Sequence, residues 1–249
     1  IYIPFCFHTT LNMGIFQDHI NFYKLARVRL KSHQNYVKFE SFQAGIVIKF
    51  LKNKGISFKG KKVLDLGCGK GGYSLNLFKE GAITTSLDIT TEYFQNIKGT
   101  RFILGNATRM PFKSNSFDFV FCSSLIEHIK NPDLLLREIK RVLKKNGLCY
   151  LSFPPFWSPV GAHQFKPFHY LGEKIAVRLS RKFYGTRSFR YDDVYGKLYK
   201  VKINQIKKII LKEKLKIKFI STRMSLINFA KMPILKDFLT WNAEFLVEK

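Results

Sequence analysis

Hydrophobic residues between positions 60 and 153 fall into short apolar runs that alternate with segments of helical spacing. The apolar runs predict five strands, at residues 62–66, 82–88, 101–104, 117–122 and 148–153. Helices are predicted between them at residues 71–79, 91–97 and 131–145, the last with Asn131 as its N-cap and Gly147 as its stop. Strands that alternate with helices indicate an α/β fold built on a doubly wound, mainly parallel sheet.

The segments on either side of this region have different patterns. Residues 16–30 and 34–54 have helical spacing, so we expect residues 1–58 to form an N-terminal helical cover. Residues 155–200 are rich in aromatic residues and histidine and contain a helical stripe at 172–184, which predicts an inserted lid that binds the acceptor. A helix at 202–211 and strands at 214–222 and 239–247 then resume the core pattern. Residues 59–154 and 201–249 are therefore expected to form one core with seven strands.

The chain is strongly basic, with 43 Lys and Arg against 17 Asp and Glu and a formal charge of +26. This balance favours nucleic acid, an anionic membrane or an acidic substrate as a partner. The lysines are scattered, however, so solvated surfaces are the simpler interpretation. The four cysteines include no Cys-x-x-Cys pair, which argues against a disulfide scaffold and a structural zinc site and indicates a reducing, cytoplasmic compartment. No apolar run is long enough for a transmembrane helix.

The sequence VLDLGCGKGG, at residues 63–72, predicts a buried strand that runs into a tight turn. Glycines at 67, 69 and 71 would let a ligand approach the backbone closely, because glycine has no Cβ and tolerates positive φ. Residues 67, 69 and 72 also satisfy the dinucleotide pattern G-x-G-x-x-G, so the turn alone fits either an NAD-type ligand or another nucleoside. Asp65 favours another nucleoside over an NAD-type ligand, since an acid before the turn does not help to bind a pyrophosphate. Asp65 could also cap the amides of the turn itself.

Polar residues follow the next three predicted strands. Asp88 ends the second strand, where a carboxylate suits a pair of ribose hydroxyls. Asn106 and Ala107 follow the third, where an amide and a small side chain suit the edge of a base. Residues 123–128 follow the fourth. Ligands of open α/β sheets bind beyond the carboxyl ends of the strands, so these groups are expected to share one site.

Together these motifs resemble class I S-adenosylmethionine-dependent methyltransferases of the type 11, ubiquinone/menaquinone-biosynthesis-like group. The resemblance is carried by Asp65-x-Gly67-x-Gly69-x-Gly71, by Asp88, and by residues 105–129 and 138–155. It implies a Rossmann-like seven-stranded sheet with an antiparallel edge strand. It also implies S-adenosylmethionine as the cofactor and a small-molecule or lipid-like acceptor.

The resemblance further implies a set of cofactor-binding residues. Those expected around the methionine part are Asp65, Gly67, Cys68, Gly69, Gly71 and Ser123. Those expected around the adenosine part are Asp88 on the ribose, Ile89 on the face of adenine, and Asn106 and Ala107 on its edge.

Methyl transfer is an in-line displacement at an activated sulfonium, so the enzyme mainly aligns and desolvates the nucleophile. A hydroxyl or carbon nucleophile also needs a base, for which the candidates are His128, His163 and His169. His128 could equally serve only to orient its loop. Relatives that methylate quinone-precursor hydroxyls carry an acid where this chain has Ser124, so we expect no metal-assisted mechanism and no metal site.

Three alternatives remain open at this stage. A nucleic-acid methyltransferase fits the basic charge, but Cys-Ser-Ser-Leu at 122–125 lacks the Pro-Pro-aromatic motif typical of enzymes that methylate base amines. Residues 172–184 form a basic amphipathic stretch that could lie on an anionic membrane surface and make the protein peripheral to a membrane. A non-catalytic S-adenosylmethionine-binding protein would carry the same cofactor motifs. The sequence does not indicate an oligomeric state.

Overall fold

The computed structural model describes residues 6–92, 99–194 and 196–249, with side chains described from residue 16 onward. Among these residues, seven strands form one sheet in the order β3-β2-β1-β4-β5-β7-β6. Their bounds are β1 Lys62–Leu66, β2 Ile83–Asp88, β3 Arg101–Leu104, β4 Phe117–Ser123, β5 Leu143–Phe153, β6 Lys216–Thr222 and β7 Ala243–Glu248. The seven-stranded α/β fold predicted from the sequence is confirmed.

The sheet is parallel over its first five strands and antiparallel at one side. Strands β1 to β5 pair in parallel, while β7 runs antiparallel to both β5 and β6. The predicted antiparallel pairing at this side is therefore confirmed. The strand order reverses between β1 and β4, and a crevice at such a reversal is where doubly wound folds bind ligands.

Helices cover both faces of the sheet. Their bounds are α1 Cys6–Val28, α2 His33–Asn53, α3 Gly72–Lys79, α4 Pro132–Val142, α5 Glu173–Tyr184, α6 Ile203–Lys212 and α7 Lys236–Leu239. Helices α2 and α3 bury Val47, Leu51 and Leu77 in one hydrophobic cluster, and α4 and α6 bury Ile139 and Ile206 in the other. The apolar stripes of these helices thus face the sheet, as their spacing predicts.

Two predicted boundaries at the fourth helix are wrong. Helix α4 ends at Val142 rather than at residue 145, and the chain enters β5 directly, with Leu143 paired to Phe117. The apolar pattern continues across this junction because Val142 and Leu143 are both buried, so periodicity alone does not mark the change from helix to strand. Gly147 consequently lies inside a strand and is not the helix stop. Asn131 occupies the N-cap position, but its side chain makes no capping hydrogen bond.

Two other predicted elements are the last strand and the helix at 91–97. The last strand begins at Ala243 rather than at 239, because residues 236–239 form the short helix α7. The helix predicted at 91–97 lies mostly outside the described residues, and the two described positions of that range form a bend.

The segment 155–200 packs around a hydrophobic cluster of its own. This cluster contains residues from both ends of the segment and from α5, namely Phe156, Ala162, Phe165, Ala176, Val177, Tyr191 and Leu198. We therefore propose that residues 155–200 form an insert into the core and that the residues before 59 form a cover over it. No helix within the described residues has the length and apolar character needed to cross a membrane.

Candidate functional site

The glycine turn joins the end of β1 to the start of α3. The backbone N–H groups of Gly67 and Cys68 donate to the carbonyl of Leu87 on β2, at 2.8 and 3.2 Å. The φ angles of Gly67, Gly69 and Gly71 are +74°, +52° and +87°, in the left-handed region that side-chain-bearing residues avoid. The alternating glycines therefore allow a turn that other residues would strain.

Asp65 lies beneath this turn and is only 3% exposed. Its carboxylate accepts a 2.5 Å hydrogen bond from the hydroxyl of Ser74, and that hydroxyl lies 2.7 Å from the hydroxyl of Ser86. Burial raises the pKa of Asp65 to about 7, and the negative charge of Asp88 acts in the same direction. In this conformation Asp65 thus anchors the first part of α3 through Ser74.

Asp88 is the carboxylate that caps an amide of the turn. One of its oxygens accepts a 2.9 Å hydrogen bond from the N–H of Gly69, and the other accepts from the N–H of Thr90 at 3.3 Å. The neighbouring Ile89 is 72% exposed, so its side chain is free to pack on a ligand. The expected ribose and adenine contacts are thus adjacent to the glycine turn.

Asn106 and Ala107 follow β3 on the same edge of the sheet. The N–H of Gly105 donates to the carbonyl of Asp88 at 2.8 Å, which fixes this loop beside the end of β2. The side-chain oxygen of Asn106 accepts from both the N–H and the hydroxyl of Thr108, at 2.8 Å each. Its amide N–H₂ is therefore the group it can offer to a base edge. Ala107 is buried.

Ser123 ends β4 and belongs to a buried polar network centred on Arg223. The Ser123 hydroxyl donates to Tyr73 at 3.3 Å, and the Arg223 guanidinium donates to Ser123 at 3.3 Å and to Ser152 at 2.7 Å. Arg223 is 7% exposed and also binds Glu244 at 3.1 Å. The sequence interpretation missed Arg223, whose signal was only a single arginine after a predicted strand.

Arg223 also reaches the N-terminal cover. It donates to the side-chain oxygen of Gln43 on α2 at 3.2 Å. One helical turn earlier on α2, the Glu40 carboxylate accepts a 3.0 Å hydrogen bond from the N–H of Gly72. The sequence interpretation also missed Glu40, because nothing in the local pattern places this residue beside the glycine turn.

The loop after β4 contacts the glycine turn directly. A Cβ on Gly67 would lie 2.9 Å from Cδ1 of Leu125, so the Leu125 side chain lies against that glycine. The N–H of His128 donates to the carbonyl of Leu125 at 2.9 Å, closing a short 3-10 turn over residues 126–128. This turn carries Glu127 and His128, which follow the leucine that contacts Gly67.

Glu127, His128 and His163 form a cluster between this loop and the insert. Glu127 is 1% exposed, and neither carboxylate oxygen has a hydrogen-bond partner within the described part of the chain. Nε2 of His163 lies 3.8 Å from Oε1 of Glu127, and the two imidazole rings meet edge to face at 5.0 Å. Nδ1 of His128 is 2.5 Å from the carbonyl oxygen of Lys197 and donates to it, so in the neutral imidazole Nε2 is an acceptor. One ligand atom from each residue lies within 4.8 Å of the others, an arrangement that could hold a metal ion.

His169 is not a member of this cluster. Its side chain is fully buried within the insert, 3.9 Å from the ring centroid of Tyr170 and close to Phe156 and Trp157. Burial lowers the pKa of His169. This environment favours packing over the catalytic contact that we expected from the sequence.

Comparison with known proteins agrees with this geometry. Residues 64–151 match the family model described as a methyltransferase domain. A ubiquinone biosynthesis O-methyltransferase from Haemophilus ducreyi is 30% identical over 118 residues, which cover 41% of this chain and 49% of that protein. An uncharacterised protein from Methanocaldococcus jannaschii is 36% identical over 118 residues, covering 45% and 51%. The chain thus spans about half the length of these curated relatives.

Solved structures support the fold. The crystal structure of an S-adenosylmethionine-dependent methyltransferase from Mesorhizobium loti matches with a TM-score of 0.57, over 81% of this chain and 96% of that chain, at 14% identity. At that identity the match shows the fold alone. The strand order, the glycine turn and the family match agree with one another, and the resemblance of residues 64–151 to class I, type 11 S-adenosylmethionine-dependent methyltransferases is confirmed.

Proposed function

We propose that this protein transfers a methyl group from S-adenosylmethionine to a small-molecule or lipid-like acceptor. The observation that carries the proposal is the contact between Leu125 and Gly67, because it joins the donor turn to the loop that bears Glu127 and His128. Donor and acceptor groups then lie next to each other, as a displacement reaction requires.

The donor half of the site uses the three strand ends. In our proposal the backbone from Gly67 to Gly71 receives the methionine part, while Asp88 accepts hydrogen bonds from the ribose hydroxyls. Ile89 packs on adenine, and the amide of Asn106 meets its edge. The support for this assignment is the common edge of the sheet on which these groups lie and the exposure of Ile89.

The acceptor half of the site uses the Glu127–His163 pair. A buried carboxylate without a hydrogen-bond partner favours a cation beside it, and His128 and His163 are the nearby groups that can become one. Of the two, His163 has its Nε2 3.8 Å from Oε1 of Glu127. His163 also has a φ of +48°, in the left-handed region that few non-glycine residues adopt. We infer that His163 accepts the proton of the nucleophile and that Glu127 stabilises the imidazolium.

The reaction then proceeds in one displacement. The acceptor nucleophile attacks the methyl carbon in line with the sulfur, the new bond to carbon forms as the S–CH₃ bond breaks, and the bonding pair remains on sulfur. The nucleophile's proton passes to His163. Leu125 places an apolar side chain against the donor turn, which removes water from that side of the reacting groups.

The insert also carries a basic surface on α5 that supports a lipid-like acceptor. Lys174, Arg178, Arg181 and Phe189 line a cavity of about 460 Å³, and the Arg181 guanidinium lies 4.0 Å from the ring centroid of Phe189. Phe183 and Tyr184 at the end of α5 are more than half exposed. Cations beside exposed aromatic rings suit an anionic membrane surface.

Incubation with methyl-labelled S-adenosylmethionine and a cell extract tests the proposal. We expect label in the lipid or small-molecule fraction, and less of it with a Glu127→Gln variant. Label in the RNA fraction would instead favour a nucleic-acid methyltransferase. Binding of the donor without transfer to any fraction would favour a non-catalytic binding protein.

A further inference from the structure

We propose that Glu40 is a further donor-binding residue, and that its carboxylate favours the cationic methyl donor over the thioether product. This inference rests on the function proposed above. It assigns to the N-terminal cover a part in recognising the charge on sulfur. The family match begins at residue 64 and does not include Glu40.

Glu40 contacts the turn at two points. Its Oε2 accepts a 3.0 Å hydrogen bond from the N–H of Gly72. Its Oε1 lies 3.2 Å from the position that a Cβ on Gly69 would occupy, so this oxygen faces the inner surface of the turn. The carboxylate therefore lies against the same backbone that is proposed to hold the methionine part of the donor.

Contacts on either side of Glu40 hold it in this place. The hydroxyl of Ser41 donates to the carbonyl of Gly72 at 3.3 Å. A Cβ on Gly72 would lie 2.3 Å from Cβ of Glu40, so α2 and α3 are in close contact here. Because α2 touches the turn this closely, the carboxylate of Glu40 is fixed beside it.

Glu40 has the charge of Lys70 near it but no ion pair. Lys70, the cation within the turn, places its Nζ 4.4 Å from the ring centroid of Tyr36, and Glu40 forms no ion pair with any described residue. Other titratable groups that face Glu40 or the turn are Asp65 on β1, Asp88 on β2, Cys68 in the turn, Tyr36 on α2 and Tyr73 on α3. The cations near these groups are Lys70, which acts on Glu40, Arg29, which acts on Tyr36, and Arg223, which acts on Tyr73. None of them forms an ion pair with Glu40, so a cationic ligand is favoured.

Burial raises the pKa of Glu40 to about 7, and the charge of Asp65 adds to this effect while the N–H of Gly72 opposes it. Near neutral pH the carboxyl is therefore partly protonated. A bound cation favours the ionised form, so its binding releases protons from the protein.

Donor and product differ in the charge that this carboxylate would sense. Both carry the same ammonium, carboxylate and adenosine groups. Methyl transfer breaks the S–CH₃ bond and leaves its electron pair on sulfur, so the positive sulfonium becomes a neutral thioether. S-adenosylmethionine and S-adenosylhomocysteine therefore differ by one methyl group and one positive charge, and proton release responds to the charge.

Titration calorimetry with both ligands tests the inference, using buffers of different ionisation enthalpy at pH 7 to count released protons. We expect the wild-type protein to release more protons with the donor than with the product. In a Glu40→Gln variant, whose side-chain oxygen can still accept from Gly72, we expect this difference to vanish. The donor's affinity advantage should also fall by about tenfold, the equivalent of one pKa unit.

Glu80→Gln is the matched control, since Glu80 lies on the surface at the end of α3 in an ion pair with Lys52. It should leave both affinities unchanged. Equal proton release with the two ligands in the wild-type protein, or an unchanged affinity ratio in Glu40→Gln, would overturn the inference about Glu40. The wild-type measurement gives this answer even if the variant does not fold. Failure of the wild-type protein to bind either ligand would overturn the proposed function as well.

Discussion

The carboxylate of Asp88 accepts a hydrogen bond of 2.9 Å from the backbone N–H of Gly69. The last residue of β2 thus holds the turn that follows β1. The sequence indicated Asp88 as a ribose ligand and left open that Asp65 caps the turn, whereas Asp88 provides the cap in this conformation. Its other oxygen accepts only a longer bond of 3.3 Å from Thr90.

Replacing Asp88 with alanine should weaken donor binding by tenfold or more. The variant loses a charged acceptor both for the turn and for the proposed ribose contact, and each charged hydrogen bond contributes about 1.5–3 kcal/mol. Calorimetric titration with S-adenosylmethionine measures the effect. Asp133→Ala, which removes a surface carboxylate paired with Lys212, should bind the donor normally. Wild-type affinity in Asp88→Ala would exclude this aspartate from the donor site.

The buried Asp65 predicts how stability changes with pH. Because its pKa is raised to about 7 in the folded state, folding favours the protonated form, and this contribution is lost as pH rises through 7. Between pH 5.5 and 8 the wild-type protein should therefore lose about 2 kcal/mol that an Asp65→Asn variant retains. Denaturant unfolding at several pH values measures this difference.

Asp118 provides the control for that experiment. Although partial burial opposes the change, hydrogen bonds from Lys144 and from the N–H of Lys62 hold the pKa of Asp118 below its usual value. Its contribution to stability is lost only as pH falls through that lowered pKa. Asp118→Asn should therefore destabilise the protein by the same amount throughout pH 5.5–8. A parallel pH dependence of Asp65→Asn and wild type would contradict the role given to Asp65.

His163 should affect turnover rather than donor affinity. His163→Asn removes the proposed base while retaining a residue that tolerates positive φ, so we expect turnover to fall about 100-fold. Donor affinity should change by less than about twofold, because His163 belongs to the insert and not to the donor turn. Steady-state kinetics together with donor titration separate the two effects. Unchanged turnover would remove His163 from the mechanism.

Removal of metal ions should leave turnover unchanged. The resemblance seen in the sequence implies an additional acid where this chain has Ser124, so the sequence predicts a mechanism without metal. Glu127, His128 and His163 nevertheless lie close enough together to hold an ion, which makes the measurement decisive. Assays before and after dialysis against EDTA provide it. A loss of activity that added zinc restores would show that the cluster is a metal site.

The basic surface of α5 predicts binding to anionic vesicles. We expect the protein to sediment with vesicles of anionic phospholipid at low salt, and an Arg178→Glu/Arg181→Glu variant to remain in solution. The control Lys207→Glu/Lys208→Glu makes the same charge change on the exposed face of α6 and should still sediment. Equal sedimentation of the two variants would contradict a specific role for α5.

The core strands could be predicted from the sequence, and the parts of the site contributed by distant segments could not. The predicted bounds of β1 and β3 agree with the structure residue for residue, because each short apolar or β-favouring run is bounded by turn residues. The predicted end of α4 was wrong because Val142 and Leu143 continue one apolar pattern from the helix into β5.

Glu40, Arg223 and His163 show why the rest of the site was harder to find. Glu40 reaches the turn because α2 packs on α3, and Arg223 reaches Ser123 across the ends of β5 and β7. His163 was a candidate, but its pairing with Glu127 depends on how the insert folds over the loop after β4. Such contacts come from tertiary packing, which local spacing does not encode.

Titration of the purified protein with S-adenosylmethionine at pH 7 tests the donor site most directly. We expect the wild-type protein to bind one equivalent and Gly69→Ala to bind at least tenfold more weakly. A Cβ at that position would lie 3.2 Å from Oε1 of Glu40, and the alanine would have to adopt a φ of +52°. Gly60→Ala, with a φ of +70° and open space around the new Cβ, should bind as the wild type does. Absence of binding to the wild-type protein, or equal binding by Gly69→Ala and wild type, would contradict the proposed site.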